Sequence, residues 1–375
     1  MKELTWVEVW KDALANNIKQ FRKIVGDDVI ICPCVKSNAY GHGLVNCAKT
    51  FLDSGANWLA VNSVYEARAL RDAGIDAPIY ILGYVGLNSL QEAVLLNCRI
   101  VLYNTESVKK LGEIGKNVKV HLKIETGNNR QGLLVDELVD FVKYISEFDN
   151  IEIEGASTHF ANIEDTTDHS YAKSQLEIFI KTCEKVEKET DVKFKIKHCA
   201  NSAATILFPE THFDMVRLGI AIYGMWPSNE TYVSYSKEAE DGFILKPALC
   251  WKTKIAQIKT LAADEFVGYG CTYRTTRETL LAILPIGYYD GYDRGVNGGH
   301  VLIHGKRAPI RGRICMNIMM VDVTDIPESN LEDEVVLIGK DGSEEISAEK
   351  FASFAGTINY QVTTRINERI PRILV

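Results

Sequence analysis

Eight short β-rich runs alternate with amphipathic helical stretches over roughly the first 235 residues of the chain. The runs read VIICPCV, NWLAVN, APIYILG, RIVLYN, VKVHLKIE, IEIEGASTH, FKIKHC and FDMVRLGIAIYG. Between them lie helix-like segments such as SVYEARALRDAG, DELVDFVKYISEF and SYAKSQLEIFIKTCEKVEKE. Ahead of the first run, KDALANNIKQFRKIV places Leu14, Ile18, Phe21 and Val25 at helical spacing. Eight strands, each trailed by a helix, fit a closed (β/α)8 TIM-type barrel better than an open sheet.

Near residue 235 the texture changes. SNETYVSYSKEAEDGF is polar and reads as a linker. Beyond it LCWKTKIAQIKTL, TLLAILPIGYYDG, HVLIHGKRAPIRGRI and EVVLIGKDG carry strand patterns separated by turn signals. The expected α/β fold is therefore a barrel over residues 1–235 followed by a mostly β C-terminal domain over residues 236–375. A length of 375 residues lets each bury its own core.

Composition narrows the function classes. The net charge of −8 argues against a nucleic-acid or anionic-membrane surface. Nine scattered cysteines, an odd number with no CxxC pair, fit reduced thiols in a cytosol better than a disulfide framework. MKELTWVEVWKDAL has no continuous apolar core of a signal peptide, and no apolar run approaches the roughly 18 residues of a membrane span. A cytoplasmic protein acting on a small molecule is expected. The eight histidines are dispersed, and no metal is called for.

In such a barrel the chemistry is built at the carboxyl ends of the strands. The first run ends at Lys36 and leads to Tyr40; the fifth leads to Arg130, the sixth to His159, the seventh to Ser202, and the eighth carries Arg217 and Gly219. Ser202 and the backbone amides of Gly219 and Ile220 could cradle a phosphate after strands seven and eight. A lysine beside a phosphate cradle suggests pyridoxal phosphate, whose aldehyde condenses with an amine. An aldolase-type lysine acting on a sugar phosphate would need the same parts. Taken singly, each residue has a plainer reading. Lys36 could be a solvated charge, His159 a structural histidine, and Ser202 a cap for the helix SAATILF. Arg217 could pair with a barrel carboxylate, and Tyr40 could be rim packing. Their meeting at one end of one barrel is what the plain readings do not require.

The same stretches resemble the alanine racemase family, pyridoxal-phosphate enzymes of fold type III. The similarity runs through VKSNAYGHG (35–43), KIETGNNRQG (123–132), STHFAN (157–162), HCANSAA (198–204) and VRLGIAIYG (216–224). It continues through VGYGCTY (267–273), LPIGYYDGY (284–292), GRICMN (312–317) and TINYQV (357–362). The resemblance implies that Lys36 holds pyridoxal 5'-phosphate and serves as one base. Tyr269, reaching the site from the other subunit of a homodimer with shared active sites, is the second base. It implies Tyr40, Ser202, Gly219, Ile220 and Tyr360 at the phosphate, and Arg217 at the pyridine nitrogen. His159 would be a relay between Tyr269 and Arg217. Arg130 and the backbone of Met316 would meet the substrate carboxylate, Tyr288, Arg294 and Arg313 would line the substrate entrance, and Lys123 would be open to carbamylation. The implied reaction is interconversion of L- and D-alanine by two bases, supplying D-alanine for cell-wall peptidoglycan.

The chain departs from the family pattern in places. Asn317 stands where aspartate is usual, which puts strict alanine specificity in question and admits a broader racemase of serine, lysine or arginine. Glu164 stands where a shorter acid is usual. Three other readings are weighed: a non-catalytic cofactor-binding barrel, a decarboxylase of the same fold, and the aldolase. The first and last give no reason for the β domain, and the decarboxylase motifs are not visible.

Overall fold

In the computed structural model, which describes residues 3–238, 242–296 and 298–375, the first strand does not join the barrel. Strand β1 (Trp6–Val9) pairs antiparallel with Leu249–Lys254 and parallel with Arg372–Leu374, near the other end of the chain. Two compact units result. One holds residues 12–39 and 44–247; the other holds the chain through Lys11, residues 40–43 and residues 248–375. The first unit thus starts after β1, and a short excursion at residues 40–43 leaves it.

The first unit is the expected barrel. Its strands are β2 (Ile30–Pro33), β3 (Leu59–Val61), β4 (Ile79–Ile81), β5 (Cys98–Leu102), β6 (Val118–Lys123), β7 (Ile151–Ser157), β8 (Ile196–His198) and β9 (Met215–Leu218). β3 to β8 form one parallel sheet in sequence order, and β2 pairs parallel with β9. Backbone bonds close the two gaps: Val35 N–H to Ala60 C=O at 2.8 Å, and Arg217 N–H to Ala200 C=O at 3.0 Å. The strands are buried along nearly their whole length, as parallel strands flanked on both faces must be. The opening helix, Lys11–Val25, buries Leu14, Ile18, Phe21 and Val25, each worth about 1.5–3 kcal/mol.

The polar segment read as a linker is in part a helix, Asn229–Glu238. Ser228 accepts the Thr231 N–H at 2.9 Å, capping its start, and Tyr232 and Tyr235 pack on Trp226. Helical spacing of two tyrosines in an otherwise polar run is a weak signal, and tertiary packing decided it.

The second unit is mostly β. Beyond β1 it contains β10 (Leu249–Lys254), β11 (Gln257–Leu261), β12 (Phe266–Val267), β13 (Tyr273–Arg274), β14 (Thr279–Leu284), β15 (His300–Ile303) and β16 (Lys306–Pro309). It continues with β17 (Met319–Asp322), β18 (Glu334–Asp341), β19 (Glu344–Ile346) and β20 (Arg372–Leu374). The main sheet runs β16-β15-β18-β10-β1-β20, with β19 on β18; β11-β14-β17 form a second sheet and β12-β13 a hairpin. Trp251, Tyr292 and Phe351 fill its core. Among the described residues no helix is long and apolar enough to cross a membrane.

Candidate active site

After β2 the chain turns left-handed. Ser37, Asn38, Ala39 and Tyr40 all have φ of 53–54°. For residues with a Cβ, that conformation costs roughly 1–2 kcal/mol each. Such strain persists where surrounding contacts over-determine it, commonly at functional sites. Here the Glu66 carboxylate accepts the Ser37 N–H at 2.6 Å while closing a capping box with Ser63, and Asn38 accepts the Leu44 N–H at 2.8 Å. The turn begins at Lys36 and ends at Tyr40, the two residues that the sequence singled out.

The barrel brings Lys36, Lys123, Arg130, His159 and Arg217 into one electrostatic neighbourhood. Burial, then the charges of Lys123, Arg217, Arg130 and Lys36, push the His159 imidazole well below its ordinary pKa, so it stays neutral. Burial first, then Arg217 and Arg130, lowers the Lys123 amine well below the usual lysine value. Lys123, Arg130 and His159 line one small pocket with Glu125 and Asn128. The loop carrying Arg130 is wrapped on the Glu125 carboxylate, which accepts the Gly127 N–H at 2.6 Å and the Arg130 N–H at 3.3 Å. Asn128 adds bonds to the His159 and Phe160 carbonyls.

Arg217 is 5% exposed and held from two sides. Its Nη2 donates to the Thr158 and Cys199 carbonyls at 2.9 and 3.2 Å, and its Nη1 donates to His198 Nδ1 at 2.5 Å. None of these bonds uses Nε. The imidazole bonded to Arg217 is that of His198. His198 lies inside the quoted HCANSAA motif; its only sequence signal was a histidine on a buried strand.

Ser202 does not cap the helix it opens. Asn201 takes that place, accepting the Ala204 N–H at 2.9 Å, while Ser202 Oγ accepts the Gly219 N–H at 2.9 Å. That bond ties the segment after β8 to the end of β9 and leaves the hydroxyl hydrogen to donate elsewhere. Ile220 follows as the first residue of a 3₁₀ turn, Ile220–Tyr223.

In the second unit, the rings of Tyr40 and Tyr360 lie 6.1 Å apart. Tyr269 sits at the tip of the β12–β13 hairpin between Gly268 and Gly270, both with φ near +73°. A Cβ at Gly268 would meet Met320 Cε at 2.7 Å, and one at Gly270 would meet the Arg313 guanidinium at 3.1 Å. The positive φ at both positions is what favours glycine, since the Met320 and Arg313 side-chain ends could move aside. Tyr269 is 68% exposed and borders a 440 Å³ hollow with Phe266, Cys315 and Met320. Met316 is tied to the 287–290 turn through Tyr289 N–H to its carbonyl at 2.9 Å. In the same region Arg294 donates to the Ile314 carbonyl at 2.6 Å and lies over the Tyr288 ring. At the helix start, Glu164 accepts the Thr231 hydroxyl through its backbone carbonyl at 3.2 Å.

Two family models tile the chain: the alanine racemase N-terminal domain matches residues 9–227, and the alanine racemase C-terminal domain residues 248–374. A relative named alanine racemase from Methanococcus maripaludis is 41% identical over 98% of both chains. One from Leptospira interrogans is 40% identical over 99% of this chain and 96% of its own. Among solved structures, alanine racemase from Bacillus anthracis with bound L-Ala-P superposes with a TM-score of 0.93 at 38% identity, covering 100% of this chain and 96% of that one. Alanine racemase from Clostridium difficile in complex with cycloserine gives 0.90 at 33% identity, covering 99% and 96%. A barrel and a β domain that both match along their length, with relatives equal in extent, leave one conclusion: the chain is a racemase of the alanine racemase family.

Proposed function

We propose that the protein interconverts L- and D-alanine with pyridoxal 5'-phosphate, as a homodimer with shared active sites, and supplies D-alanine for peptidoglycan. The observation that carries this reading is the gathering of the basic side chains Lys36, Arg130 and Arg217, with the buried amine of Lys123, around a neutral His159. It suits a ligand with a phosphate, a phenolate and a carboxylate. Arg217 Nε, which takes no part in the bonds to Thr158, Cys199 and His198, is the donor that a pyridine nitrogen would accept from.

When bound, pyridoxal phosphate draws into its conjugated ring the electron pair left when an amino acid loses its α-proton. Lys36 would hold the cofactor through its amine and exchange the α-proton of the D-enantiomer. Tyr269 of the partner subunit would do the same for the L-enantiomer from the opposite face. Ordinary lysine and tyrosine pKa values lie near 10, so each base needs a setting that eases its deprotonation. Arg217 is always protonated and can only donate, so it would hold the ring nitrogen in its unprotonated form. Tyr40, Ser202, Tyr360 and the amides of Gly219 and Ile220 would anchor the phosphate with uncharged donors. Arg130 and the Met316 backbone would orient the substrate carboxylate, with Tyr288, Arg294 and Arg313 at the entrance.

The dimer is supported by what the second unit leaves in solvent: Phe266, Tyr269, Tyr288, Tyr289, Met316 and Ile318 are all exposed. So much aromatic and apolar surface on neighbouring turns fits a protein contact.

Borohydride reduction of the cofactor-loaded protein, followed by peptide mass mapping, should place the pyridoxyl label on Lys36. A label elsewhere would overturn the cofactor assignment. Tyr269→Phe should lower α-hydrogen exchange of L-alanine in heavy water by about 10²–10⁴, while exchange of D-alanine persists. Equal loss for both enantiomers would remove Tyr269 as the L-specific base. A second reading, a racemase of broader specificity, rests on Asn317. Comparable turnover of alanine, serine, lysine and arginine by chiral chromatography would favour it.

A further inference from the structure

A line of polar side chains runs through the barrel interior behind Arg217. His198 Nδ1 lies 2.5 Å from Arg217 Nη1, His198 Nε2 lies 2.8 Å from His121 Nδ1, and His121 Nε2 lies 3.2 Å from Glu154 Oε2. Both imidazoles are wholly buried, with the Tyr80 ring packed against each. At its outer end Glu154 also accepts from Lys119 at 2.7 Å and Arg99 at 3.2 Å.

The backbone is shaped to admit this line. Pairing of β6 with β7 slips at this place: Val120 faces Ile153 but His121 faces Gly155, so Glu154 is the extra residue of a bulge. Bulges re-aim side chains, and here both Ile153 and Glu154 are buried. Gly155 is required beside it, because a Cβ there would meet His121 Nδ1 at 2.8 Å.

Hydrogen-bond logic gives the line one direction. Arginine has no acceptor, so Arg217 must donate to His198 Nδ1. Burial, then the Arg217 charge, keeps His198 neutral, so its single proton is on Nε2 and points to His121 Nδ1. Burial likewise lowers the pKa of His121, whose proton then sits on Nε2 and points to Glu154. Every donor faces toward the carboxylate. A core that needed only packing would be served as well by apolar side chains.

We propose that Glu154, His121 and His198 are positioning residues that act through Arg217. The carboxylate, through two histidines of enforced tautomer, orients the guanidinium and offsets its charge, setting the donor strength that Nε presents to the ring nitrogen. This rests on the pyridoxal phosphate reading above.

The test uses the holoenzyme loaded with ¹⁵N-pyridoxal phosphate and labelled on histidine nitrogen. In the unmutated protein, His121 and His198 should both show Nε2–H tautomers with Nδ1 as acceptor, unchanged between pH 6 and pH 8. An Nδ1–H tautomer or an imidazolium at either position would overturn the proposal. In Glu154→Gln, the His121 Nε2–H proton should move upfield as its acceptor loses charge. The pyridine ¹⁵N resonance should also move upfield, because a guanidinium with less counter-charge donates more strongly. Lys110→Ala, which removes an exposed ion pair with Glu113, should leave both resonances in place. A pyridine resonance that stays put in Glu154→Gln would reduce the line to core structure while leaving the cofactor reading intact. Failure of the protein to take up the cofactor would instead overturn both.

Discussion

Asn317 donates its side-chain amide to both carboxylate oxygens of Asp290, at 3.2 and 3.4 Å. Asp290 in turn accepts the Gly287 N–H at 2.9 Å, bracing the turn that carries Tyr288. The residue that departs from the family pattern is therefore a donor to that turn. Asn317→Asp would place two carboxylates at the same separation. It should lower stability by about 1 kcal/mol or less, because the pair is exposed, and added salt should recover most of the loss. Thermal melts with and without salt check this; a variant as stable as the parent at low salt would dissolve the argument.

Gly41 has φ of 86°, and a Cβ there would fall far inside contact distance of the Thr363 carbonyl oxygen. Gly41→Ala should displace the segment bearing Tyr40 from the helix Asn359–Arg365 that bears Tyr360. The expected cost is about 3 kcal/mol, read from urea unfolding, with weaker uptake of pyridoxal phosphate in a spectrophotometric titration. Unchanged midpoint and affinity would show that the close approach is dispensable.

His121 and His198 are neutral in the fold and free to protonate when unfolded. Their folded pKa values lie below the unfolded value near 6.5, so the unfolded chain binds more protons and stability rises with pH. Unfolding free energy should be fully developed above about pH 7. It should fall as the pH drops through the unfolded value near 6.5, by at most about 1.4 kcal/mol per pH unit for each of the two groups. Glu154 acts in the same direction at lower pH. Burial opposes its ionisation, but the bonds from His121 and Lys119 prevail and hold its carboxyl at about 2. Denaturant titrations at successive pH values measure the slope, and a flat profile from pH 7 to 5 would contradict it.

Lys123, pushed toward its neutral form by burial, is the form of amine that adds carbon dioxide, releasing a proton and leaving a carbamate anion among Arg130 and Arg217. Protein equilibrated with ¹³C-bicarbonate should show a carbamate carbon resonance that is lost in Lys123→Met. Its absence from the parent protein at pH 8 would leave Lys123 a neutral amine.

Much of this was legible in the sequence. The opening helix coincides with its apolar spacing, and all eight β-rich runs overlap barrel strands, because period and length are properties of a few neighbouring residues. Lys36, Arg130, His159 and Arg217 were marked by standing at strand ends, and the barrel does gather them. His198, the imidazole bonded to Arg217, was not singled out, because nothing local distinguishes a histidine on a buried strand from core packing. The helix at Asn229–Glu238 was missed because its stabilising contact, with Trp226, is not part of its own pattern.

The sequence by itself determined the alternation of strand and helix, the change to a β domain, and the residue types offered at the strand ends. Tertiary structure alone decided that β1 belongs with β10 and β20, that Lys36 leads into a left-handed turn, and that His121 meets His198 across 77 positions of chain. Periodicity is local and survives in any window of residues. Strand allegiance, a bulge that turns Glu154 inward and a forced imidazole tautomer depend on which distant backbone or side chain closes the hydrogen bond. That is settled only when the sheet closes.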